Sequence, residues 1–364
     1  MIRFARRAGA VLGAVLLTVS LPASPSRADS IRDRQWYLKP MRVAQAQELG
    51  KGGAGITVAV IDTGVDRTHQ DLRGAIEPGR NMSGDPSFTD VDTGPHGTGI
   101  AALIAGRGHG SGDGVLGIAP RAKIIPMIPV NDHVMVANAV RWAAGNGVQV
   151  INLSFRLRLS GDSLEDAIAE AAAADVVLVG AVGNDGGGEV ILPAGYPGVV
   201  GVGSVGRDNR VSSFSNHGAG VDLVAYGVDM PVAQPGNKYA LSDGTSDSSA
   251  LVAGAVALMR ARYPDMSAAE VVDRLTRTAI DRGPAGRDDR YGAGQLDLIA
   301  ALTVPRTPPS ASASLPAVTN VPGAVSPTVA PKSRFPAWVI IAIGGLLLVV
   351  GLAGLMIVRS RRRL

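Results

Sequence analysis

The chain contains no cysteine. That excludes thiol nucleophiles, thiolate metal sites and disulfides, so any extracytoplasmic domain here rests on its apolar core alone. Aromatic residues make up only 4% of the 364 positions, which leaves no aromatic-rich cleft to argue for a carbohydrate-binding or ligand-binding surface protein. Histidine is scarce too, confined to His69, His96, His109, His133 and His217. What is abundant is apolar content, at 46%, and glycine, at 47 residues. The first suits one domain of roughly 250 residues with accessory segments. The second implies many tight turns and close backbone approaches.

The formal net charge of +4 suggests a basic binding face, but its distribution removes that reading. Residues 1–28 hold four arginines and residues 359–364 hold four more, with no acidic residue in either stretch. The rest of the chain carries 27 basic and 31 acidic residues, a net of −4. The basicity belongs to the two ends, and no nucleic-acid partner is expected.

Both ends read as targeting segments. Arg3, Arg6 and Arg7 precede a 14-residue apolar run, Ala8 to Leu21, and Ser26-Arg27-Ala28 offers small residues for cleavage. This predicts a signal peptide over 1–28. Ala337 to Val358 is a run of 22 residues without a charge, followed by Arg359, Arg361, Arg362 and Arg363. That run is long enough to span a bilayer, and positive flanks stay cytoplasmic. The expected topology is a single-pass cell-membrane protein with a transmembrane helix over 337–358. A basic cytoplasmic tail follows over 359–364, and everything between the signal and the helix lies outside. Residues 303–336, dominated by Pro, Ser and Ala, read as an extended stalk.

Between residues 56 and 302 short Val/Ile-rich runs alternate with helical stretches. Ile56–Ile61, Ile124–Val130, Val148–Leu153, Val176–Val182 and Val199–Val202 read as strands buried on both faces. Gly97–Ala105, Val134–Ala144, Leu164–Ala174, Ser248–Arg262 and Ala268–Ala279 read as helices, the last opened by the capping box Ser267-Ala268-Ala269-Glu270. This predicts an α/β fold with a mostly parallel sheet flanked by helices, in which chemistry collects at the carboxyl ends of the strands.

Four residues stand where chemistry would be expected, and each taken singly has a plainer meaning. Asp62 ends the first strand and could orient a partner, or serve as a turn residue before Gly64. His96, flanked by Gly94 and Gly97, opens a helical stretch whose positive end keeps an imidazole neutral, although a lone His is commonly a surface residue. Ser246, in Gly244-Thr245-Ser246, precedes an apolar helical run; it could present a hydroxyl and a backbone N–H at a helix N-terminus, or act as an N-cap. Asn184 follows the strand ending at Val182 and could donate to an oxyanion, or fill a left-handed turn position.

Together, VAVIDTGV, HGTG, VINLS, AVGNDG and GTS occur in that order on an alternating α/β framework. The set resembles the subtilisin-like serine proteases, and within them the mycosins, the membrane-anchored proteases that accompany type VII secretion in actinobacteria. The resemblance implies a three-layer subtilisin-like domain with Asp62, His96 and Ser246 as catalytic triad, and Asn184 with the Ser246 N–H as oxyanion hole. It also implies Ser154 at the edge of a cleft for a polypeptide substrate. Residues 29–55, with Gln35-Trp36-Tyr37-Leu38 as apolar anchor, would pack on the catalytic domain. Structural calcium is common in such proteins, but no compact acidic loop assigns ligands, and neither a metal site nor a cofactor is expected.

The sequence departs from the family pattern at Asp247, Ser248 and Ala250. Asp247 brings a negative charge next to a site that must stabilise an oxyanion and would weaken catalysis if it faced the cleft. Phe155-Arg156 after Ser154 predicts a narrower, more positive pocket for the substrate side chain, suited to small or acidic groups. These departures keep a second reading open, in which a weak or inactive subtilase serves as scaffold in a membrane secretion complex.

Overall fold

A computed structural model describes residues 30–82, 94–128, 132–157 and 161–305. The signal peptide, most of the stalk, the transmembrane segment and the tail lie outside the described residues. No helix among those described is long and apolar enough to cross a membrane.

Eleven strands and eight α-helices are present among the described residues. The strands are β1 (Thr57–Ile61), β2 (Arg80–Asn81), β3 (Arg107–His109), β4 (Asp113–Leu116), β5 (Lys123–Ile128), β6 (Val150–Leu153), β7 (Val177–Ala181), β8 (Val199–Val205), β9 (Leu223–Tyr226), β10 (Met230–Gln234) and β11 (Lys238–Ser242). The helices are α1 (Ser30–Arg34), α2 (Val43–Leu49), α3 (Pro95–Ala105), α4 (His133–Gly145), α5 (Asp162–Ala173), α6 (Thr245–Arg262), α7 (Ala268–Arg277) and α8 (Leu298–Thr303). Seven strands form one parallel sheet in the order β2-β5-β1-β6-β7-β8-β9, and β3-β4 and β10-β11 are antiparallel pairs outside it.

Successive residues of a strand point to opposite faces, and β1 shows the consequence. Val58 and Val60 join the core formed with α3 and α6, whereas Ala59 and Ile61 join the core formed with α4 and α5. The result is three layers, with both faces of the sheet apolar, as the continuous Val/Ile runs required.

Helix α6 runs through the larger core. Every residue from Thr245 to Ala261 except Ser246 is buried. A helix apolar or small-residue on all sides has no solvent face to mark its start. That is why it begins at Thr245 rather than at the expected Ser248, and Ser246 therefore lies inside the first turn. Its N-cap is Gly244, with no side-chain cap, so Ser246 is not an N-cap residue. The predicted capping box of α7 is present, with Ser267 accepting from the Glu270 N–H and the Glu270 carboxylate accepting from the Ser267 N–H at 2.8 Å.

The N-terminal segment lies against the same unit. Tyr37 is fully buried, Trp36 meets Tyr226 edge-to-face at 4.6 Å, and the Trp36 indole N–H donates to the Val228 carbonyl. Gln35 binds Leu116 through both halves of its amide.

Candidate active site

Asp62 follows the last residue of β1 and is buried, and its Oδ1 accepts the Thr63 N–H at 2.7 Å. His96 stands in the first turn of α3, after Pro95. Its Nδ1 donates to Asp62, 2.8 Å from Oδ1 and 2.9 Å from Oδ2. The close approach depends on Gly97. A β-carbon there would lie 2.2 Å from the Gly64 carbonyl oxygen, so only glycine lets α3 dock against the turn beyond β1. The Gly97 N–H in turn donates to Thr63 Oγ1 at 3.1 Å.

Ser246 is the one residue of the first four turns of α6 that is not buried. Its Oγ donates to the Ser154 carbonyl at 3.2 Å. Beneath it lies a hydroxyl network absent from the sequence reading. Asn152 Nδ2 donates to Ser154 Oγ at 2.7 Å, Ser154 Oγ is 2.8 Å from Ser249 Oγ, and Ser249 Oγ donates to the Ser246 carbonyl at 2.8 Å. The Ser154 side chain is thus taken up by packing, and what it offers the cleft is its backbone.

Asn184 does not occupy a left-handed turn; that conformation falls on Gly183 and Gly186. Its Oδ1 accepts from the Thr245 N–H at 2.9 Å and from Thr245 Oγ1 at 2.8 Å. With the acceptor end fixed, the amide donor has one direction left. Asn184 and Ser246 line the same cleft, and an amide N–H beside a serine hydroxyl suits developing negative charge. Thr245 escaped the sequence reading, although it stood in the same Gly-Thr-Ser motif. Asn216, which holds the Asn184 loop through Oδ1 to the Asp185 N–H at 2.8 Å, carried no local signal.

A cleft of about 310 Å³ opens beside Ser246, with Ser154, Phe155, Arg156, Asn184 and Asp185 in its walls. The expected positive wall is not found. Arg156 pairs with Asp185 across the cleft, so its charge is offset. A second hollow of about 1000 Å³ begins behind the same pair and reaches Leu192 and Gly195.

Asp247 is also corrected. It does not face the cleft: it is 2% exposed, and its Oδ2 accepts from Ser242 Oγ at 2.7 Å. Burial pushes its carboxyl up to about 7, against the Ser242 hydrogen bond and nearby His96, which favour the charged form; Asp243 adds to the rise. Ala250 is buried within an uninterrupted α6, so the missing proline leaves no break there. Among the described residues no group of three or more His, Cys, Asp or Glu could hold a metal ion.

A buried carboxylate bonded to an imidazole beyond β1 and a serine on the first turn of a buried helix suit a serine peptidase, and residues 53–294 match the model of the subtilase family. The chain belongs to the subtilase family. It is a subtilisin-type serine endopeptidase. It is 35% identical over 272 residues to subtilisin Savinase of Lederbergia lenta, covering 73% of this chain and 97% of that one. To subtilisin E of Bacillus subtilis it is 34% identical over 267 residues, covering 69% and 67%. Among solved structures it resembles MycP1 with its N-terminal propeptide removed, at 30% identity and a TM-score of 0.68, over 76% of this chain and 98% of that one. It also resembles MycP1 from the ESX-1 type VII secretion system, at 30% identity and a TM-score of 0.66, over 79% and 88%.

Proposed function

We propose that Asp62, His96 and Ser246 act as the catalytic triad of a membrane-anchored, extracytoplasmic endopeptidase associated with a type VII secretion system. The observation that carries the triad is the 2.8 Å contact of His96 Nδ1 with the buried Asp62 carboxylate, together with Ser246 as the residue between Thr245 and Ala261 of α6 that is not buried. Ser246 Oγ attacks the peptide carbonyl, and His96 takes its proton through Nε2 and returns it to the leaving amine. Asp62 holds the tautomer and stabilises the imidazolium. Asn184 Nδ2 and the Ser246 N–H receive the oxyanion. The Ser154 backbone pairs with the extended peptide once Ser246 Oγ leaves its carbonyl.

The Arg156–Asp185 pair favours small, uncharged side chains in the 310 Å³ cleft, because a charged or bulky group has to displace one partner. Anchoring is supported by the uncharged run Ala337–Val358 and the arginines after it. Association with type VII secretion is supported by the likeness to MycP1 from the ESX-1 system. Residues 1–28 serve as signal peptide, 29–55 as an N-terminal extension on the peptidase domain of 56–302, and 303–336 as stalk.

Two assays test this reading. The purified ectodomain should cleave an unfolded polypeptide, and Ser246→Ala or His96→Ala should reduce turnover by roughly 10⁶-fold. Protease shaving of intact cells should remove the domain before residue 336; full protection would overturn the topology. A folded ectodomain without turnover at any pH would instead support a weak or inactive subtilase that acts as scaffold in a membrane secretion complex.

A further inference from the structure

Residues Gly183–Glu189 read Gly-Asn-Asp-Gly-Gly-Gly-Glu and carry both Asn184 and Asp185. Four of the seven are glycines, which lose more conformational freedom on ordering than any other residue, so the loop does not fix its own shape. Thr245 holds the Asn184 side chain alone. The backbone is held from another loop by Asn216, which is 3% exposed. The Asn216 N–H donates to the Gly183 carbonyl at 2.9 Å. Its Oδ1 accepts from the Asp185 N–H at 2.8 Å and the Gly187 N–H at 3.3 Å, and its Nδ2 donates to the Glu189 carbonyl at 2.8 Å. A β-carbon on Gly183 would lie 2.6 Å from Asn216 Nδ2, so the amide packs directly on the backbone that precedes Asn184.

We propose that Asn216 is a positioning residue with two effects on the cleft: it sets the reaction rate through Asn184 and the substrate preference through Asp185. The inference rests on the triad reading and on Asn184 as oxyanion donor.

The plainer account is that Asn216 only keeps a loop in place. Backbone bonds already do part of that: the Gly186 N–H donates to the Phe214 carbonyl at 2.7 Å and the His217 N–H to the Gly187 carbonyl at 3.0 Å. What the Asn216 side chain adds is attachment at Asp185 and Glu189, on either side of the glycine run. The peptide unit joining Asn184 to Asp185 is planar, so holding the Asp185 N–H orients that plane and with it the start of the Asn184 side chain. Released, Asn184 keeps its Thr245 bonds but its donor end shifts, and an oxyanion donor helps only when it is in place before the charge develops. The Asp185 carboxylate moves with the same backbone, which takes it away from Arg156 on the other wall.

The test is a double-mutant cycle on the full-length protein: native, Asn216→Ala, Asn184→Ala and the double variant, each measured for kcat, KM and a peptide-library profile. Asn216→Ala should lower kcat about 30-fold with KM little changed, short of the roughly 100-fold of a full misplacement because the Thr245 bonds remain. In the Asn184→Ala background the same change should lower kcat no more than about twofold, since no donor is left to misplace. In both backgrounds the library should shift toward acidic side chains before the cleaved bond, because Arg156 is left uncompensated. Mere enlargement of the hollow that Asn216 lines would instead admit larger uncharged ones. Asn216→Ser keeps a polar group but is too short to reach all three backbone partners; it should lower kcat about tenfold with the same coupling, and carries the cycle if Asn216→Ala does not fold. Equal losses of kcat in both backgrounds, no loss in either, or a library without the acidic shift would overturn the proposal and leave the triad standing. An Asn184→Ala variant as fast as the native enzyme, or a folded native protein without turnover, would overturn the underlying reading as well.

Discussion

The carbonyl oxygen of Gly64 lies 2.2 Å from where a β-carbon on Gly97 would stand, so the turn after Asp62 and the helix that carries His96 touch backbone to backbone. Gly97→Ala forces one of them to move. An overpacked contact of this kind costs about 1–3 kcal/mol of stability, and a misplaced His96 should lower kcat by about 100-fold. Gly99→Ala is the control: its methyl would meet Val232 Cβ at 3.2 Å and the Ala233 carbonyl oxygen only at 3.5 Å, an ordinary contact, and the loss should stay under about tenfold. Steady-state kinetics and thermal unfolding of the two variants decide.

Asn184 is held at its acceptor end by Thr245 and reaches the cleft by its donor end. Asn184→Ala should reduce kcat by about 10²–10³ with KM little changed, because the donor acts on charge that exists only in the transition state. Thr245→Val removes the hydroxyl bond at 2.8 Å but leaves the backbone bond at 2.9 Å. It should therefore cost less, about tenfold. A raised KM with kcat unchanged for Asn184→Ala would mean that it binds substrate rather than the oxyanion.

Arg156 and Asp185 are both about half exposed, and an exposed ion pair is worth only about 0–1 kcal/mol. Its effect is on selectivity rather than stability. Asp185→Asn leaves Arg156 uncompensated and should shift a peptide library toward acidic side chains before the cleaved bond. Arg156→Gly should open the way to the larger hollow and admit bulky aromatic ones. An unchanged library profile for both variants would contradict the role of the pair.

The buried Asp247 also predicts how stability depends on pH. Its folded-state carboxyl is raised from 3.8 to about 7, so the folded protein holds this proton over a range where the unfolded chain has lost it. Stability from this group is full below about pH 3.8 and is lost as pH rises to about 7, by up to about 4 kcal/mol. Asp247→Asn should therefore stabilise the ectodomain at pH 8 and do little at pH 4, as measured by urea unfolding. A difference independent of pH would contradict the burial account.

Much of this architecture was legible in the sequence because its signals are local. The five expected strands and five helices rest on continuous apolar runs, and the capping box on residues three apart. Strand β9 was missed because Leu223–Tyr226 is only four residues long, although Gly218-Ala219-Gly220 marks a turn before it. The β10-β11 hairpin was missed although Pro235-Gly236-Asn237 marks its turn. Asp62, His96, Ser246 and Asn184 were each visible in a short motif. What supports them was not, because Thr245 with Asn184, Asn216 with Asp185 and Arg156 with Asp185 are pairs made across the fold. The hydrogen bond that holds the buried Asp247 likewise comes from another element, through Ser242 at the end of β11.

The central claim is that Ser246 is an activated nucleophile. Its most direct test is to treat the folded ectodomain with a fluorophosphonate and map the adduct by mass spectrometry. The account predicts a single phosphonylated residue, Ser246, with labelling abolished in Ser246→Ala and reduced by orders of magnitude in His96→Ala. A folded ectodomain that takes no label, or takes it on another serine, would contradict it.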